Sequence, residues 1–139
     1  MEYRGTLAVG WHDLDRAVDL LAAQLLSKII GTHDWVLVGR PRGGLVLAVC
    51  LSHRLELPLI SECYVSTDYK VIWVDDILDS GRTLERARFA CSAANKFLPC
   101  FWTAREKWKE HNYLVATYVP EDRWVVFPWE VQNESRTRT

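Results

Sequence analysis

The chain has 139 residues, 49% of them hydrophobic, with 17 Lys and Arg against 18 Asp and Glu for a net charge of −1. It is long enough for a single core and too apolar for disorder, and with no global basic field it presents no nucleic-acid surface, so any anion must be held locally. No apolar run approaches membrane-spanning length and Met1-Glu2-Tyr3-Arg4 opens no apolar leader, so a cytoplasmic protein with no membrane partner is expected.

Thr6 to Val9 reads as a short edge strand. Leu14, Ala17, Val18, Leu21, Leu25 and Ile29 then recur at helical spacing, with Asp13 as the N-cap and Gly31 as the closing residue. His12 and His33 have no second ligand or carboxylate at a telling spacing and read as surface residues. Trp35 to Val38 is a buried strand. It runs into Gly39-Arg40-Pro41-Arg42-Gly43-Gly44 and an apolar helix from Leu45 to Leu55. In that turn the glycines let the backbone approach a ligand, and two arginines stand beside the exposed N–H groups of a helix start. Alone, it also fits an ordinary Gly-rich turn.

Pro58 to Val65 is expected to be a strand, joined through the tight connection Ser66 to Tyr69 to the central strand that begins at Lys70. Val71 to Val74 is a four-residue apolar run, the mark of a strand covered on both faces, which puts Asp75 and Asp76 at its carboxyl end. Open α/β sheets bind ligands at that edge. Asp79-Ser80-Gly81-Arg82-Thr83 then offers small side chains and successive N–H groups at a helix N-terminus, where unpaired donors and the dipole favour a phosphate. Two carboxylates beside a phosphate cradle suggest a ribose phosphate. Taken alone, the capping residues also suit a plain loop.

Leu84, Ala87, Cys91, Ala94 and Leu98 mark one face of the next helix, and Pro99 opens the strand Cys100 to Thr103. Ala104 to His111 is polar and reads as a solvated loop. Tyr113 to Val119 is a strand, Pro120 to Asp122 a turn, Arg123 to Phe127 a last strand, and 131–139 a frayed tail. Cys50, Cys63, Cys91 and Cys100 lack C-x-x-C spacing and sit among apolar residues, so they read as buried free thiols. With no repeats or linker, residues 1–139 form one domain.

The string from Val71 to Thr83 resembles the phosphoribosyl pyrophosphate (PRPP) signature of the type I phosphoribosyltransferases: an apolar strand, two acids, two apolar residues, then Asp/Thr-Ser/Thr-Gly-x-Thr. Arg42-Gly43-Gly44-Leu45 is similar to the pyrophosphate loop of the xanthine-guanine members. Tyr118 to Glu130 is similar to their hood, with its Val/Ile-Pro-x-Asp-x-Trp…Pro-Trp-Asp pattern. The likeness covers most of the chain. It implies an α/β fold with a doubly wound, mostly parallel sheet, a core over about 14–104 and a small hood from 1–13 and 105–130.

The activity so implied is transfer of phosphoribose from PRPP to an oxopurine (guanine, xanthine or hypoxanthine), giving a nucleoside monophosphate and pyrophosphate, with Mg²⁺ as cofactor, in a homo-oligomer. By the same resemblance, Asp75 and Asp76 hold the ribose hydroxyls, Asp76 also meeting the metal weakly through water. The turn Ser80, Gly81, Arg82 and Thr83 holds the 5′-phosphate, with the Arg82 side chain outward, and Arg42, Gly43 and Gly44 hold the pyrophosphate. Asp79 acts as general base on the purine, and Arg105, Trp124, Val125 and Glu130 form the base site. Arg105 stands at a family Lys position, Glu130 at an Asp and Val126 at an acid. The family often has a cis non-proline peptide at the bond that is Pro41-Arg42 here, and its long mobile loop is reduced to Ser66 to Tyr69. Two other readings stay open: a non-catalytic or weakly active PRPP- or nucleotide-binding regulator on the same fold, and a pyrimidine or orotate enzyme, against which the hood pattern speaks.

Overall fold

Alternating apolar strands and amphipathic helices lead to a layered α/β structure, because parallel strands can be linked only by crossovers that cover the sheet faces. The computed structural model describes residues 2–29 and 34–130. Along the chain run β1 (Gly5–Ala8), α1 (Trp11–Ile29), β2 (Trp35–Gly39), α2 (Gly43–Leu55), β3 (Lys70–Leu78), α3 (Arg82–Ala90), β4 (Lys96–Arg105), β5 (Leu114–Val119) and β6 (Arg123–Val126). Short 3-10 turns occur at Glu62–Tyr64 and Glu106–Trp108. The expectations placed on Gly31, His33 and 131–139 lie outside the described residues.

β2, β3, β4 and β5 lie side by side in that order, all parallel, while β1 and β6 pair in a separate two-stranded parallel ribbon. β5 therefore belongs to the main sheet, not to the hood. Side chains of β3 alternate across the sheet: Ile72 and Val74 enter one core with α1 and α2, Val71 and Trp73 the other with Leu84 and Ala87 of α3. Helices thus cover both faces. None among the described residues is long and apolar enough to cross a membrane.

Beyond β2 the backbone makes only an isolated parallel bridge, Leu37 to Leu59, with the Leu37 N–H donating to the Pro58 carbonyl at 2.8 Å and the Ile60 N–H to the Leu37 carbonyl at 2.9 Å. The strand expected over Pro58 to Val65 is corrected to this bridge and the 3-10 turn: Ser61, Glu62, Cys63 and Tyr64 are exposed, with no sheet face to bury. The bridge still matters. After β2 the chain moves outward through α2 to Leu59, then returns to the opposite side of β2 to form β3, so the strand order reverses between β2 and β3. Ligands of open α/β sheets bind at such a switch.

Other boundaries move for identifiable reasons. α1 begins at Trp11, and Asp13 lies in its first turn, accepting the Gly10 N–H at 2.8 Å as the reaching-back half of a capping box. α3 stops at Ala90; the Asn95 N–H donates to the Tyr69 carbonyl at 2.8 Å and draws the chain into β4 from Lys96, so Ala94 and Leu98 are not helical and Pro99 lies inside the strand. All four thiols are free, but Cys63 is exposed and Cys50 half-buried, which corrects the expectation of four buried ones. Burial pushes the Cys100 thiol up to about 12 and the Cys91 thiol to about 11.

Candidate active site

At the switch, the end of β2 and the middle of β3 separate. The ladder between them ends at Gly39 with Val74, whereas β3 continues against β4 to Leu78 with Ala104. Asp75 and Asp76 therefore lie inside the strand, not beyond it, fixed by β4 on one side and open where β2 has turned away. The Thr103 hydroxyl donates to the Asp76 carbonyl at 2.9 Å, and the Asp76 N–H donates to the Asp75 carboxylate at 2.8 Å. Asp75 is buried, and desolvation, with the Asp76 carboxylate beside it, holds its pKa well above the usual carboxylate range. The Arg40 guanidinium partly offsets this.

The turn after β2 folds back onto β3. The Arg40 N–H donates to the Val74 carbonyl at 2.9 Å, and the Leu45 N–H to the Arg40 carbonyl at 3.0 Å. A β-carbon at Gly44 would lie 2.6 Å from the Val74 carbonyl oxygen, so only glycine permits this approach. The Pro41-Arg42 peptide is cis, as the resemblance implies. Across from this turn, Gly81 adopts a φ of +91° and caps α3. Ser80 Oγ accepts the Arg82 N–H at 3.3 Å.

These pieces enclose a cavity of about 530 Å³. It is lined by Arg40, Pro41, Arg42 and Gly43 of the turn after β2, by Asp75, Asp76 and Ile77 of β3, and by Asp79, Ser80, Gly81 and Thr83 at the start of α3. Trp129 and Glu130 close it from the hood side. Of the residues singled out in the sequence, the acid pair, the phosphate-type turn, Arg42, Gly43 and Glu130 are thus brought to one cavity. Arg82 is exposed and outside the lining.

Three base-site candidates lie behind the cavity wall. Arg105 is 1% exposed: its Nε donates to Asp79 Oδ1 at 3.1 Å and its Nη1 to the carbonyls of Pro120 and Arg123 at 2.6 and 2.7 Å. Its Nη2 is buried without a partner. Trp124 is 6% exposed and meets the Tyr3 ring edge-on at 5.2 Å between centroids, and the Arg105 guanidinium lies 5.7 Å from the centre of that same Tyr3 ring. Val125 is fully buried in β6. The Glu130 carboxylate accepts the Phe127 N–H at 3.0 Å. Nothing in the sequence pointed to Tyr3, Trp108 or Thr103, and Trp129 entered only as part of the hood pattern; their places follow from tertiary contacts.

No protein-family model matches the chain. A xanthine-guanine phosphoribosyltransferase of Desulfotalea psychrophila is 28% identical over 155 residues, covering 96% of this chain and 91% of that protein. The alignment is longer than this chain, so the relative carries residues that this one lacks. The crystal structure of a purine phosphoribosyltransferase from Pyrococcus horikoshii superposes with a TM-score of 0.75 at 27% identity, over 96% of this chain and 99% of that one. The fold is that of the type I phosphoribosyltransferases. Helicobacter pylori xanthine-guanine-hypoxanthine phosphoribosyltransferase shares it at a TM-score of 0.71 and 20% identity, over 94% of this chain and 95% of that one. The relatives are transferases of the glycosyl class, and on this fold the β2–β3 switch of the present chain carries its cavity.

Proposed function

We propose that the chain is a purine phosphoribosyltransferase, joining PRPP and an oxopurine into a nucleoside monophosphate with release of pyrophosphate. The observation that carries this is one cavity with three kinds of lining: a helix N-terminus with small residues, a carboxylate pair, and, against Asp76, a turn bearing two arginines. These suit a sugar that carries phosphate at two positions. The backbone at Ser80 to Thr83 holds the 5′-phosphate. Asp75 and Asp76 accept the ribose hydroxyls, and their charge favours the positive charge that develops at C1′ as its bond to the pyrophosphate oxygen breaks and the electron pair leaves with pyrophosphate. Arg40 and Arg42, with the N–H groups at Gly43 and Gly44, receive that leaving group. The purine nitrogen forms the new bond to C1′, and Asp79 takes the proton the base gives up at N7.

On this reading Glu130, in the cavity lining, meets the edge of the base, and Tyr3 moves aside so that Trp124 stacks on the base, Val125 meets its edge and the Nη2 of Arg105, the guanidinium nitrogen without a partner, meets an exocyclic oxygen. Among the described residues there is no group of three or more His, Cys, Asp or Glu side chains poised for a metal. The hard oxygens of Asp75 and Asp76 instead fit Mg²⁺ held mainly by substrate oxygens and water, with Asp76 as the protein's contribution. When bound, the ion offsets charge on the pyrophosphate.

The test is nucleotide formation from PRPP and Mg²⁺ with guanine, xanthine, hypoxanthine and adenine, with pyrophosphate release followed in parallel. Transfer to oxopurines is expected, slow or accompanied by base-independent release, since the connection over 66–69 is a single turn closed by the Tyr69 N–H on the Ser66 carbonyl at 3.2 Å and supplies no lid. That short connection also favours a second reading, a regulator that binds PRPP or nucleotide without turnover. No nucleotide with any base would move the assignment there.

A further inference from the structure

The carbonyl of Asp79 lies one residue past the last β3–β4 pair, Leu78 with Ala104. It accepts a hydrogen bond from the Trp108 indole Nε1–H at 2.8 Å. The same ring closes on the next turn: a β-carbon at Gly81 would lie 3.0 and 3.1 Å from Trp108 Cη2 and Cζ2. Arg105, three residues earlier on the same segment, holds the Asp79 carboxylate through Nε at 3.1 Å. One short stretch thus grips Asp79 at both its polar ends and Gly81 at its backbone. Trp108 is itself braced by His111 at 4.9 Å and Tyr113 at 6.3 Å between ring centroids, and the Lys107 N–H is tied to Glu121 at 2.9 Å.

We infer that Trp108 is a positioning residue for the phosphate-binding turn: it holds Asp79, Ser80 and Gly81 in the anion-binding conformation before any ligand arrives. This rests on the phosphate role given to that turn under the transferase reading. The physical reason is preorganisation. A turn that is already ordered loses little conformational freedom when it takes up a phosphate, so more of the contact energy appears as affinity. With a single turn over 66–69 leading into β3, a fixed clamp from the β4–β5 connection supplies the order that a lid otherwise supplies on closing.

The test compares wild type with Trp108→Phe, which keeps a ring against Gly81 and removes the N–H donor. Loss of one neutral hydrogen bond that orders the turn should raise the Kd for ribose 5-phosphate, and the KM for PRPP, about three- to tenfold, with the purine KM unchanged. Unchanged sugar-phosphate affinity, or equal losses for PRPP and purine in step with a fall in Tm, would overturn the proposal. Amide exchange of residues 79–83 in wild type gives a readout that needs no variant: protection in the free protein close to that in the ribose 5-phosphate complex supports the clamp, and open-loop rates in the free protein overturn it. Wild type that binds ribose 5-phosphate but forms no nucleotide removes the transferase reading and leaves the clamp standing. Wild type that binds no ribose 5-phosphate removes the clamp.

Discussion

The Oδ2 of Asp76 occupies the space where residue 43 would carry a β-carbon: built onto Gly43, that carbon would lie 2.0 Å from Oδ2 and 3.1 Å from the Trp129 ring. The arginine-bearing turn and the acid pair are therefore in direct van der Waals contact, and the side chain at position 43 sets where the Asp76 carboxylate can point.

Gly43→Ala should displace a movable carboxylate instead of backbone, so the fold should survive with little change in Tm. Under the proposed transferase reading the displaced Asp76 would no longer meet the ribose, and a misplacement of about 1 Å at a reacting centre can cost about a hundredfold in rate. Steady-state kinetics with PRPP should show kcat/KM reduced by about tenfold or more. Wild-type kinetics in that variant would mean that Asp76 does not contact the sugar.

Asp75→Asn tests the buried carboxylate through the pH dependence of stability. Because the folded pKa is raised, folding carries no penalty below the ordinary value of 3.8, and stability falls as pH rises above it toward the folded pKa. An amide still accepts the Asp76 N–H and escapes that penalty. The variant should therefore melt higher than wild type at neutral pH, with the difference shrinking to nothing as pH drops below 3.8. Parallel melting curves across that range would show that burial of Asp75 is not penalised.

At the proposed base site, Tyr3 lies edge-on to Trp124 and beside Arg105, so a purine stacking on Trp124 would compete with it for that ring. An aromatic pair contributes about 0.5–1.5 kcal/mol, so Tyr3→Ala should lower the guanine KM about two- to tenfold. A higher KM would make Tyr3 a wall of the base pocket.

In the turn proposed to bind the phosphate, Gly81 has a φ of +91° and no room for a side chain beneath Trp108, whereas Arg82 is exposed. Gly81→Val should weaken nucleotide binding by about tenfold or more, from backbone strain of about 1–3 kcal/mol at the holding N–H groups. Arg82→Ala should change it by less than about twofold, the surface norm. The reverse order by calorimetry would assign the anion to the side chain.

Local chemistry made much of this legible in the sequence. The apolar run Val71 to Val74, the small residues of Asp79 to Thr83 and the paired glycines at 43 and 44 carry their information in neighbouring residues, since strand burial, helix-start donors and close backbone approach are short-range demands. Tertiary structure decided what depends on partners distant in sequence. Leu98 keeps helical spacing yet lies in β4, because sheet hydrogen bonds to β3 outweigh a weak continuation of the helix. Pro58 to Val65 reads as a strand yet lacks a second neighbour, so only Leu59 pairs. The Nη1 of Arg105 meets the Pro120 and Arg123 carbonyls and its Nε meets Asp79 because the hood folds over it. Trp108, placed in a charged stretch, finds the Asp79 carbonyl 29 residues away. A buried donor takes whichever acceptor the fold brings near, and no spacing along the chain encodes that choice.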